Sequence, residues 1–502
     1  MLDSFLEQRI ITKQNIFHIL LDNDSIDLFT LSHLLNTSEK NTKYLIDCLC
    51  NEIPELKILK KDRDVYCMEL PNSELPFEVL YPTYRTSGVL QCLKFFITNH
   101  DHHPFSKFSL EQHYSLANAY RIKEKCQNYL AEIGLSIKNN FIFGEEYRIR
   151  YLIALLDYKY GIDCGYFDSH SRDLARNFIC QTNKTINKEF LDLTREKYGY
   201  FENLLILSWK RKQYSPFIEI PNDLKLIQKL FVFDLLNEYV QKYIENPLNI
   251  NYDESDYYYV FLIYCTSNCC VFADRWNDER IAEISRLLLN IPSLKDLREK
   301  IEAKYGKEVA DNRMMKITLF TFFKHMILNL EGIIPDKWDC SQSNKTAITE
   351  IIAKQMHDLL DHWRLDNNIK YRFEDSKLCF ISYQIKTIIR QLINPIKIIT
   401  ISDLILDLET IEYYFMTNYP KGRVEFQSLL LNAKSLEILN EVDDTIIIIN
   451  KKFQSILDHL SINNSNQIVL TSIDFNKEDR TKIAQLIVEK QEEEMIKYLA
   501  KL

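Results

Sequence analysis

Residues 85–100 read R-T-S-G-V-L-Q-C-L-K-F-F-I-T-N-H, residues 107–130 read K-F-S-L-E-Q-H-Y-S-L-A-N-A-Y-R-I-K-E-K-C-Q-N-Y-L, and residues 134–156 read G-L-S-I-K-N-N-F-I-F-G-E-E-Y-R-I-R-Y-L-I-A-L-L. The apolar spacing of these pieces predicts three successive helices. A hairpin should follow, with strands Leu135–Ile137 and Phe141–Phe143 joined by a Lys138-Asn139-Asn140 turn. A further helix is expected to begin just after Gly144. Three helices and a hairpin in this order predict a winged helix-turn-helix.

The third of these helices has side chains suited to a DNA groove. Asn118 is expected to be its N-cap, and the stripe predicted to face the core consists of Ile122, Cys126, Tyr129 and Leu130. A recognition helix presents basic and polar side chains to base edges and phosphates. The candidate DNA-binding side chains of this module are Asn118, Tyr120, Arg121, Lys123, Lys125 and, in the hairpin, Lys138. The alternative is the solvated face of an ordinary helix, but the neighbouring helices and hairpin favour DNA binding.

Residues 13–70 carry a similar pattern. Asp27–Leu35 is predicted to be a helix, Asn36-Thr37 a turn, and Ser38 the N-cap of a helix that ends at Cys50. A wing is expected from two short apolar runs, Leu56–Leu59 and Val65–Met68. The candidate DNA-binding side chains here are Lys40, Asn41, Lys43 and Tyr44. Acidic residues outnumber basic ones across residues 1–70, so this module ranks below the second as a DNA contact.

Composition narrows the class of protein further. A chain of 502 residues is too long for one core and implies several domains. The low counts of 9 glycines and 12 prolines favour long helices over a fold rich in glycine loops. Because the net charge is −9, any DNA contact must come from local clusters of basic side chains.

The cysteines and the apolar runs predict a cytoplasmic protein. The 12 cysteines show no spaced framework, so reduced thiols are expected. Cys265, Cys269 and Cys270 suit a buried aromatic segment better than a metal site. Residues 1–7 contain two acids and no apolar run, unlike a signal peptide, and no apolar stretch reaches the ~18–20 residues that cross a bilayer.

The remaining sequence divides into a helical middle and a mixed C-terminal part. Helical spacing dominates from about residue 170 to residue 394, including a tyrosine-rich segment, Asn249–Cys270, that is expected to be a buried helix. Ile396–Ile401, Thr445–Ile449 and Gln467–Leu470 are typical of strands buried on both faces. Helical patterns separate them, which predicts a small α/β unit with a parallel sheet.

The motif search argues against an enzyme. The sequence contains no GxGxxG, GxxxxGK[ST], GxSxG or HExxH motif. Asp101-His102-His103 lies next to a proline without a spaced partner, so a solvated loop is favoured over a metal site. Catalytic residues, a metal and a cofactor are therefore not expected.

Four short motifs add a family resemblance. They are A-Y-R at residues 119–121, G-E-E-Y-R-I-R-Y-L-I-A-L-L at 144–156, L-S-W-K-R at 207–211 and K-L-F-V at 229–232. In these motifs the chain resembles the Mga and RofA-like family of stand-alone virulence regulators of Gram-positive cocci, most closely the RofA/Nra branch. The resemblance implies a DNA-binding transcriptional regulator of virulence, adhesion or pilus genes.

The resemblance also implies a mainly α, multi-domain architecture. The expected domains are tandem winged helix-turn-helix domains at residues 1–74 and 75–165, two helical PRD-like bundles at 166–292 and 293–394, and a C-terminal α/β EIIB-like domain at 395–502. PRD-like bundles are similar to regulation domains of the sugar phosphotransferase system and can be phosphorylated on histidine. The candidate phosphorylation sites are His170, His325, His357 and His362. Expected partners are promoter double-stranded DNA, the phosphotransferase-system phosphocarrier protein, and a second copy of the chain bound through the C-terminal domain.

Two local questions stay open at this point. Arg148 and Arg150 either contact DNA phosphates or form ion pairs with nearby acidic side chains. In the transporter domain that the C-terminal part resembles, a cysteine follows the first strand, whereas Ser402-Asp403 stands here. A phosphoryl relay through this part is therefore unsupported, since the reactive thiolate is missing.

Two alternative functions also remain. One is a helical scaffold or interaction protein that does not bind DNA. The other is a PRD-type RNA-binding antiterminator, which normally begins with a small RNA-binding β domain. The first 70 residues are instead predicted to be mainly helical, which favours the DNA-binding regulator.

Overall fold

The computed structural model is mainly helical and divides into two compact units. Unit 1 is Met1–Ile291 with Phe320–Lys337, and unit 2 is Pro292–Leu319 with Trp338–Leu502. The structure describes residues 2–62, 64–70, 78–101, 103–183, 185–267, 271–326, 328, 330, 332–335, 346–367, 369, 375–420, 422–457, 462–472 and 475–501. The boundaries of the five domains expected from the sequence stay a prediction.

The first module of unit 1 has three helices and three strands. Its elements are a 3₁₀ helix (Leu2–Phe5), α1 (Gln8–Asp22), β1 (Ile26–Asp27), α2 (Leu28–Leu34), α3 (Glu39–Glu52), β2 (Lys57–Asp62) and β3 (Val65–Glu69). The strands form an antiparallel sheet in the order β1-β3-β2. Ser38 is the N-cap of α3, as predicted, because its hydroxyl accepts a hydrogen bond from the N–H of Asn41 at 3.3 Å.

The second module contains the three helices and the hairpin that its sequence predicts. Its elements are α4 (Tyr81–Arg85), α5 (Gly88–Thr98), α6 (Phe105–Glu111), α7 (Leu116–Glu132), β4 (Ser136–Lys138), β5 (Phe141–Phe143) and α8 (Glu146–Tyr160). Asn139 and Asn140 form the turn with φ angles of 52° and 58°, which asparagine tolerates better than most residues. Lys138 belongs to the strand, where it pairs with Phe141, and not to the predicted turn.

Two predicted boundaries in this module are wrong. The N-cap of α7 is Ser115, not Asn118: the Ser115 hydroxyl accepts a hydrogen bond from the N–H of Asn118 at 3.3 Å. Serine and asparagine both cap helices well, and Ser115 and Asn118 are about one turn apart. The sequence alone therefore did not show which of them begins the helix. The second boundary concerns residues 75–86, whose prolines predict a linker in the sequence, because α4 occupies part of this stretch. Pro82 occupies the first turn of α4, where an N–H has no intrahelical partner to lose.

Partly buried polar contacts join the two modules. Lys13 of α1 forms an ion pair with Glu52 of α3, and Glu52 also accepts a hydrogen bond from the hydroxyl of Thr83 at 2.9 Å. Glu7 accepts a hydrogen bond from the hydroxyl of Ser87 at 2.7 Å. Carboxylates of the first module are thus satisfied by donors at the start of the second, which fixes the modules against each other.

The helical middle follows α8. Its elements are α9 (Ser169–Thr182), α10 (Lys188–Leu193), α11 (Arg195–Lys210), α12 (Asn222–Ile227), α13 (Phe231–Val240), a π-helical turn (Gln241–Glu245), α14 (Asn246–Leu248), α15 (Glu254–Thr266), a 3₁₀ turn (Ala273–Arg275), α16 (Asp278–Leu288), α17 (Pro292–Tyr305), α18 (Lys307–Ala310), α19 (Arg313–Met326), α20 (Ala347–Asp366) and α21 (Asp375–Leu392). Helix α15 is buried from Tyr258 to Thr266, which confirms the predicted buried aromatic helix.

The C-terminal part of unit 2 is built on a parallel sheet. Its elements are β6 (Ile396–Ser402), α22 (Ile405–Asn418), β7 (Val424–Leu430), α23 (Ala433–Glu441), β8 (Ile446–Asn450), a 3₁₀ turn (Lys451–Phe453), α24 (Gln454–Leu457), β9 (Gln467–Thr471) and α25 (Lys477–Lys501). The strand order is β7-β6-β8-β9, with every pair parallel. Isoleucines of β6 and β8 enter apolar clusters on both faces of the sheet, as their continuous apolar runs predict.

Strand β7 is the element of this sheet that the sequence does not predict. It lies at the edge, and its residues are half-buried or exposed. Because it is not buried on both faces, it carries no continuous apolar run.

The structure also bears on membrane contact and thiols. Within the described part of the chain, no helix combines the length and the apolar character needed to cross a bilayer. The cysteines assigned there are free thiols, and Cys265 is buried in α15. Cys269 and Cys270 lie outside the described residues.

Candidate nucleic-acid interface

Helix α7 has one buried face and one exposed face. The predicted core stripe is buried, and the hydroxyl of Tyr129 donates a hydrogen bond to the carbonyl of Gly332 at 2.9 Å. The opposite, outward face consists of Ala117, Tyr120, Arg121, Glu124 and Asn128, all exposed. Ala117 is an addition that the sequence did not suggest, because a small apolar residue gives no signal for DNA contact. Its small side chain, in the first turn of α7, leaves room for the helix backbone to approach a DNA groove closely.

Lys123 lies beside this outward face, on the side that meets α6. Its ammonium is 5.0 Å from the ring centroid of Phe105 and 5.7 Å from that of Phe96. A cation over aromatic rings is held by the electrostatic attraction of their faces. Lys123 is therefore half-buried and already has partners, whereas Arg121 is exposed. A DNA contact by Lys123 stays a prediction.

Asn118, Arg121 and Lys125 line a groove between the two modules. Arg9 of α1 lies across this groove from them, around a cavity of about 460 Å³. The groove is also lined by Glu7 and by the Lys13–Glu52 ion pair. Three cations thus face one carboxylate outside that pair, so the groove has an excess of positive charge. Arg9 was not predicted, because it reaches the site only through the packing of α1.

The β4-β5 hairpin is held by the loop that follows α5. The side-chain amide of Asn99 donates a hydrogen bond to the carbonyl of Asn140 at 2.9 Å. The Asn99 side-chain oxygen accepts a hydrogen bond from the N–H of His103 at 2.8 Å. On the hairpin itself, the Lys138 ammonium lies 3.6 Å from the ring centroid of Phe143. The hairpin is therefore anchored at its turn and carries an exposed cation.

The predicted DNA-binding side chains of the first module lie on α3. Lys40, Asn41, Lys43 and Tyr44 are all exposed. Lys43 pairs with Asp64 at 3.3 Å, and the hydrogen bond from Lys43 lowers the pKa of the Asp64 carboxyl. The amide of Asn41 donates to the hydroxyl of Thr37 at 2.9 Å. Lys43 and Asn41 therefore already have hydrogen-bond partners within the first module.

Arg148 and Arg150 both form ion pairs within the fold. Arg150 is fully buried and donates to Glu146 at 3.1 Å and to the carbonyl of Arg211 at 3.0 Å. Arg148 forms an ion pair with Glu145 at 3.4 Å. The buried guanidinium of Arg150 cannot reach DNA, so the predicted contact with a DNA phosphate is wrong for this residue. The alternative prediction, ion pairs with nearby acidic side chains, describes both arginines.

The candidate phosphorylation sites differ in their surroundings. His170 is exposed in the first turn of α9. His357 and His362 are exposed on α20, where Nδ1 of His357 lies 3.7 Å from the carboxylate of Asp358 and from that of a second aspartate. The side chain of His325 lies outside the described residues. A helix N-terminus favours phosphate, and the Asp168 carboxylate that caps α9 is paired with Lys210 at 2.6 Å, so His170 has the more favourable surroundings.

Asp403 lies in the loop after β6, and Asp407 follows in the first turn of α22. Asp403 pairs with Lys452 at 2.7 Å, and the hydrogen bond from Lys452 lowers the pKa of the Asp403 carboxyl. The hydroxyl of Ser402 donates to Asp407 at 3.0 Å. Negative charge at this loop opposes an incoming phosphoryl group.

Metal binding finds no support in the described part of the chain. There, no cluster of histidine, cysteine, aspartate and glutamate side chains could hold a metal ion. Nε2 of His103 lies 3.5 Å from the carboxylate of Asp101, and both side chains are accessible to solvent. His102 lies outside the described residues.

Three helices followed by an anchored hairpin, with an exposed and partly basic face on α7, are typical of the helix-turn-helix class of DNA-binding proteins. Family models agree: the Mga helix-turn-helix domain matches residues 77–156, and the M protein trans-acting positive regulator (MGA) PRD domain matches residues 171–394. The chain belongs to the Mga family of transcriptional regulators, which confirms the family predicted from its motifs. A search of curated proteins found no match.

Proposed function

We propose that this regulator binds promoter DNA with α7 in the major groove and the β4-β5 hairpin against the backbone. The observation that carries the proposal is the outward face of α7, where Tyr120, Arg121 and Asn128 are exposed opposite a fully buried stripe. An α-helix fits the major groove, and arginine and asparagine are the side chains that read guanine and adenine there. Lys138 on the hairpin is placed to contact phosphate.

We further propose that the first module adds a second contact, so that the two modules act in tandem. Lys40, Asn41, Lys43 and Tyr44 form its exposed set on α3. The contacts of Glu7 and Glu52 with the second module keep the two sets at a fixed spacing. The cations of the groove supply the local positive charge that a chain of net charge −9 requires.

The helical middle is proposed to receive a phosphotransferase-system signal. The PRD match supports this input, and the general phosphocarrier protein is its proposed donor. Of the three described candidates, His170 is the preferred acceptor. His357 has two carboxylate neighbours, and Nδ1 of His362 lies 2.6 Å from the backbone carbonyl oxygen of Asp358. Mass spectrometry of acid-free digests after incubation with the phosphorylated carrier should find phosphohistidine at His170. A digest that covers all four candidate histidines and contains no phosphohistidine would contradict the input.

A homodimer formed through the C-terminal part is the proposed working state. Helix α22 exposes Ile405, Tyr413 and Met416, each more than 60% accessible, next to the open edge of β7. Apolar side chains that monomeric proteins normally bury are thus gathered on one helix. Dimers commonly place their two DNA-binding modules on half-sites ~34–36 Å apart, which calls for a dimerising element away from the DNA.

The finer assignments follow the family. We propose membership of the RofA/Nra branch, virulence, adhesion or pilus genes as targets, a cytoplasmic location, an EIIB-like origin for the C-terminal part, and no enzymatic activity. A genome-wide map of DNA bound by the chain in its native cell tests the targets. Enrichment upstream of surface-protein genes is expected, and binding confined to unrelated genes would contradict the assignment.

The DNA-binding proposal is tested first by gel shift with the full chain on A·T-rich promoter duplex. Binding should weaken steeply as salt increases, because each phosphate contact releases counterions. A scaffold protein would show no shift at any salt concentration. An antiterminator would prefer a structured RNA of the same length over the duplex.

A further inference from the structure

The carboxyl ends of the central strands in the C-terminal sheet surround a small pocket. Its cavity is about 220 Å³. Deeper in the sheet the same face is apolar, with Ile398, Ile448 and Val469 in one buried cluster. At the pocket this pattern changes to polar residues: Thr400 and Ser402 on β6, Asn450 on β8, and Thr471 on β9.

The pocket lies where the strand order reverses. From β6 the chain passes to β7 on one side, and β8 then pairs with β6 on the other side. The connections that leave two such strands diverge and open a crevice at their carboxyl ends. In open α/β sheets this crevice is the usual position of a ligand.

One hydroxyl at the pocket has no hydrogen-bond partner. Thr400 is 1% exposed, and among the described residues nothing bonds its Oγ1. Buried polar atoms are nearly always paired, so a hydroxyl at a cavity that none of the described residues bonds is suited to pair with a group that enters the cavity. The neighbouring Ser402 is satisfied by Asp407 at 3.0 Å, and the Asn450 side-chain oxygen accepts from the N–H of Lys452 at 3.0 Å.

The charge of the lining decides the class of ligand. Asp407 is the charged residue of the described lining, which contains no lysine or arginine. A carboxylate accepts hydrogen bonds and repels anions, so phosphate and organic acids are disfavoured. Phe475 and Ile448 supply an apolar wall. A small, neutral polyhydroxyl compound meets these requirements. Its hydroxyls can bond Asp407 and Thr400, and its C–H face can pack against the apolar wall.

We propose that this pocket binds a small uncharged polyol or monosaccharide, with its hydroxyls on Asp407 and Thr400 and its C–H face against Phe475. The C-terminal part then senses a metabolite in addition to any role in assembly. This inference does not depend on DNA binding, so each can fail without the other.

The test uses the full chain with glycerol, sorbitol and glucose as probes, followed by saturation-transfer NMR and calorimetric titration. At least one probe should bind saturably. Thr400→Val, which keeps the side-chain volume, and Asp407→Asn should each weaken binding at least tenfold. Thr445→Val is the matched control, because it removes a buried hydroxyl just before β8, at the amino ends of the strands and away from the pocket. Its affinity should be unchanged.

Three results would overturn the proposal. They are no saturable binding of any of the three probes, undiminished binding in Thr400→Val, and saturable binding of inorganic phosphate in their place. Thermal unfolding without probe guards against a misfolded variant. Thr400→Val should melt at the same temperature as the wild type or higher, because it removes a hydroxyl that lacks a partner.

Discussion

Arg211 holds Glu146 with two buried hydrogen bonds, from Nε to Oε1 at 2.6 Å and from Nη2 to Oε2 at 2.8 Å. Glu146 opens α8, the helix that follows the β4-β5 hairpin, whereas Arg211 is the C-cap of α11 in the helical middle. Arg150 donates to the same carboxylate at 3.1 Å. The helix-turn-helix module is thus joined to the helical middle through a shared buried carboxylate.

Removal of this contact should destabilise unit 1. Arg211→Met takes one of two cations from a buried carboxylate, which typically costs about 3 kcal/mol in the free energy of unfolding. Denaturant unfolding followed by tryptophan fluorescence measures the change. The control is Arg286→Met, an exposed arginine in the same unit, which should change the free energy by less than about 1 kcal/mol. Equal effects in the two variants would show that the buried contact contributes little.

Asn99 should control the order of the hairpin. Asn99→Ala leaves the carbonyl of Asn140 and the N–H of His103 without their partner, at a local cost of about 1–3 kcal/mol. Hydrogen exchange should quicken in the β4-β5 turn, and DNA affinity should fall with it. Asn139→Gly is the control, since glycine accepts a φ of 52° without strain. If the turn exchanges as slowly in Asn99→Ala as in the wild type, the anchoring role is wrong.

The C-terminal dimer can be tested without truncation. Helix α25 packs on α21, where Lys386 pairs with Glu492 at 3.3 Å, so removal of residues 395–502 would expose a buried helix face. Tyr413→Glu with Met416→Glu instead places charge on the exposed apolar face of α22 and should convert a dimer to a monomer in light scattering. Lys434→Glu on α23 is the exposed control and should stay dimeric. If the double variant remains a dimer, the dimer interface lies elsewhere in the chain.

Local spacing made much of the fold predictable. The stripe from Ile122 to Leu130 and the asparagines at 139 and 140 specify a helix and a hairpin through neighbours in the chain, and the structure contains both. Arg150 shows the limit of this information. It lies in a helix that is buried on almost every side, so periodicity does not indicate which charged residues are enclosed.

The candidate interface was less predictable, because its geometry depends on contacts between distant segments. Arg9 joins Arg121 at the groove only after α1 has packed, and Asn99 bonds a residue 41 positions away. Lys123 and Arg121 look equivalent in the sequence. Only the position of Phe105 in the fold shows that Lys123 is covered.

The central claim, that α7 reads DNA, is tested most directly by fluorescence anisotropy of the full chain on a promoter duplex over a series of salt concentrations. The compared proteins are the wild type, Arg121→Ala and the exposed control Lys225→Ala. If Arg121 contacts a phosphate, its loss should lower the salt slope by about one; if it contacts a base, the loss should cost ~1–3 kcal/mol and relax sequence preference. Lys225→Ala should match the wild type. The same affinity, salt slope and sequence preference in Arg121→Ala and the wild type would contradict the claim.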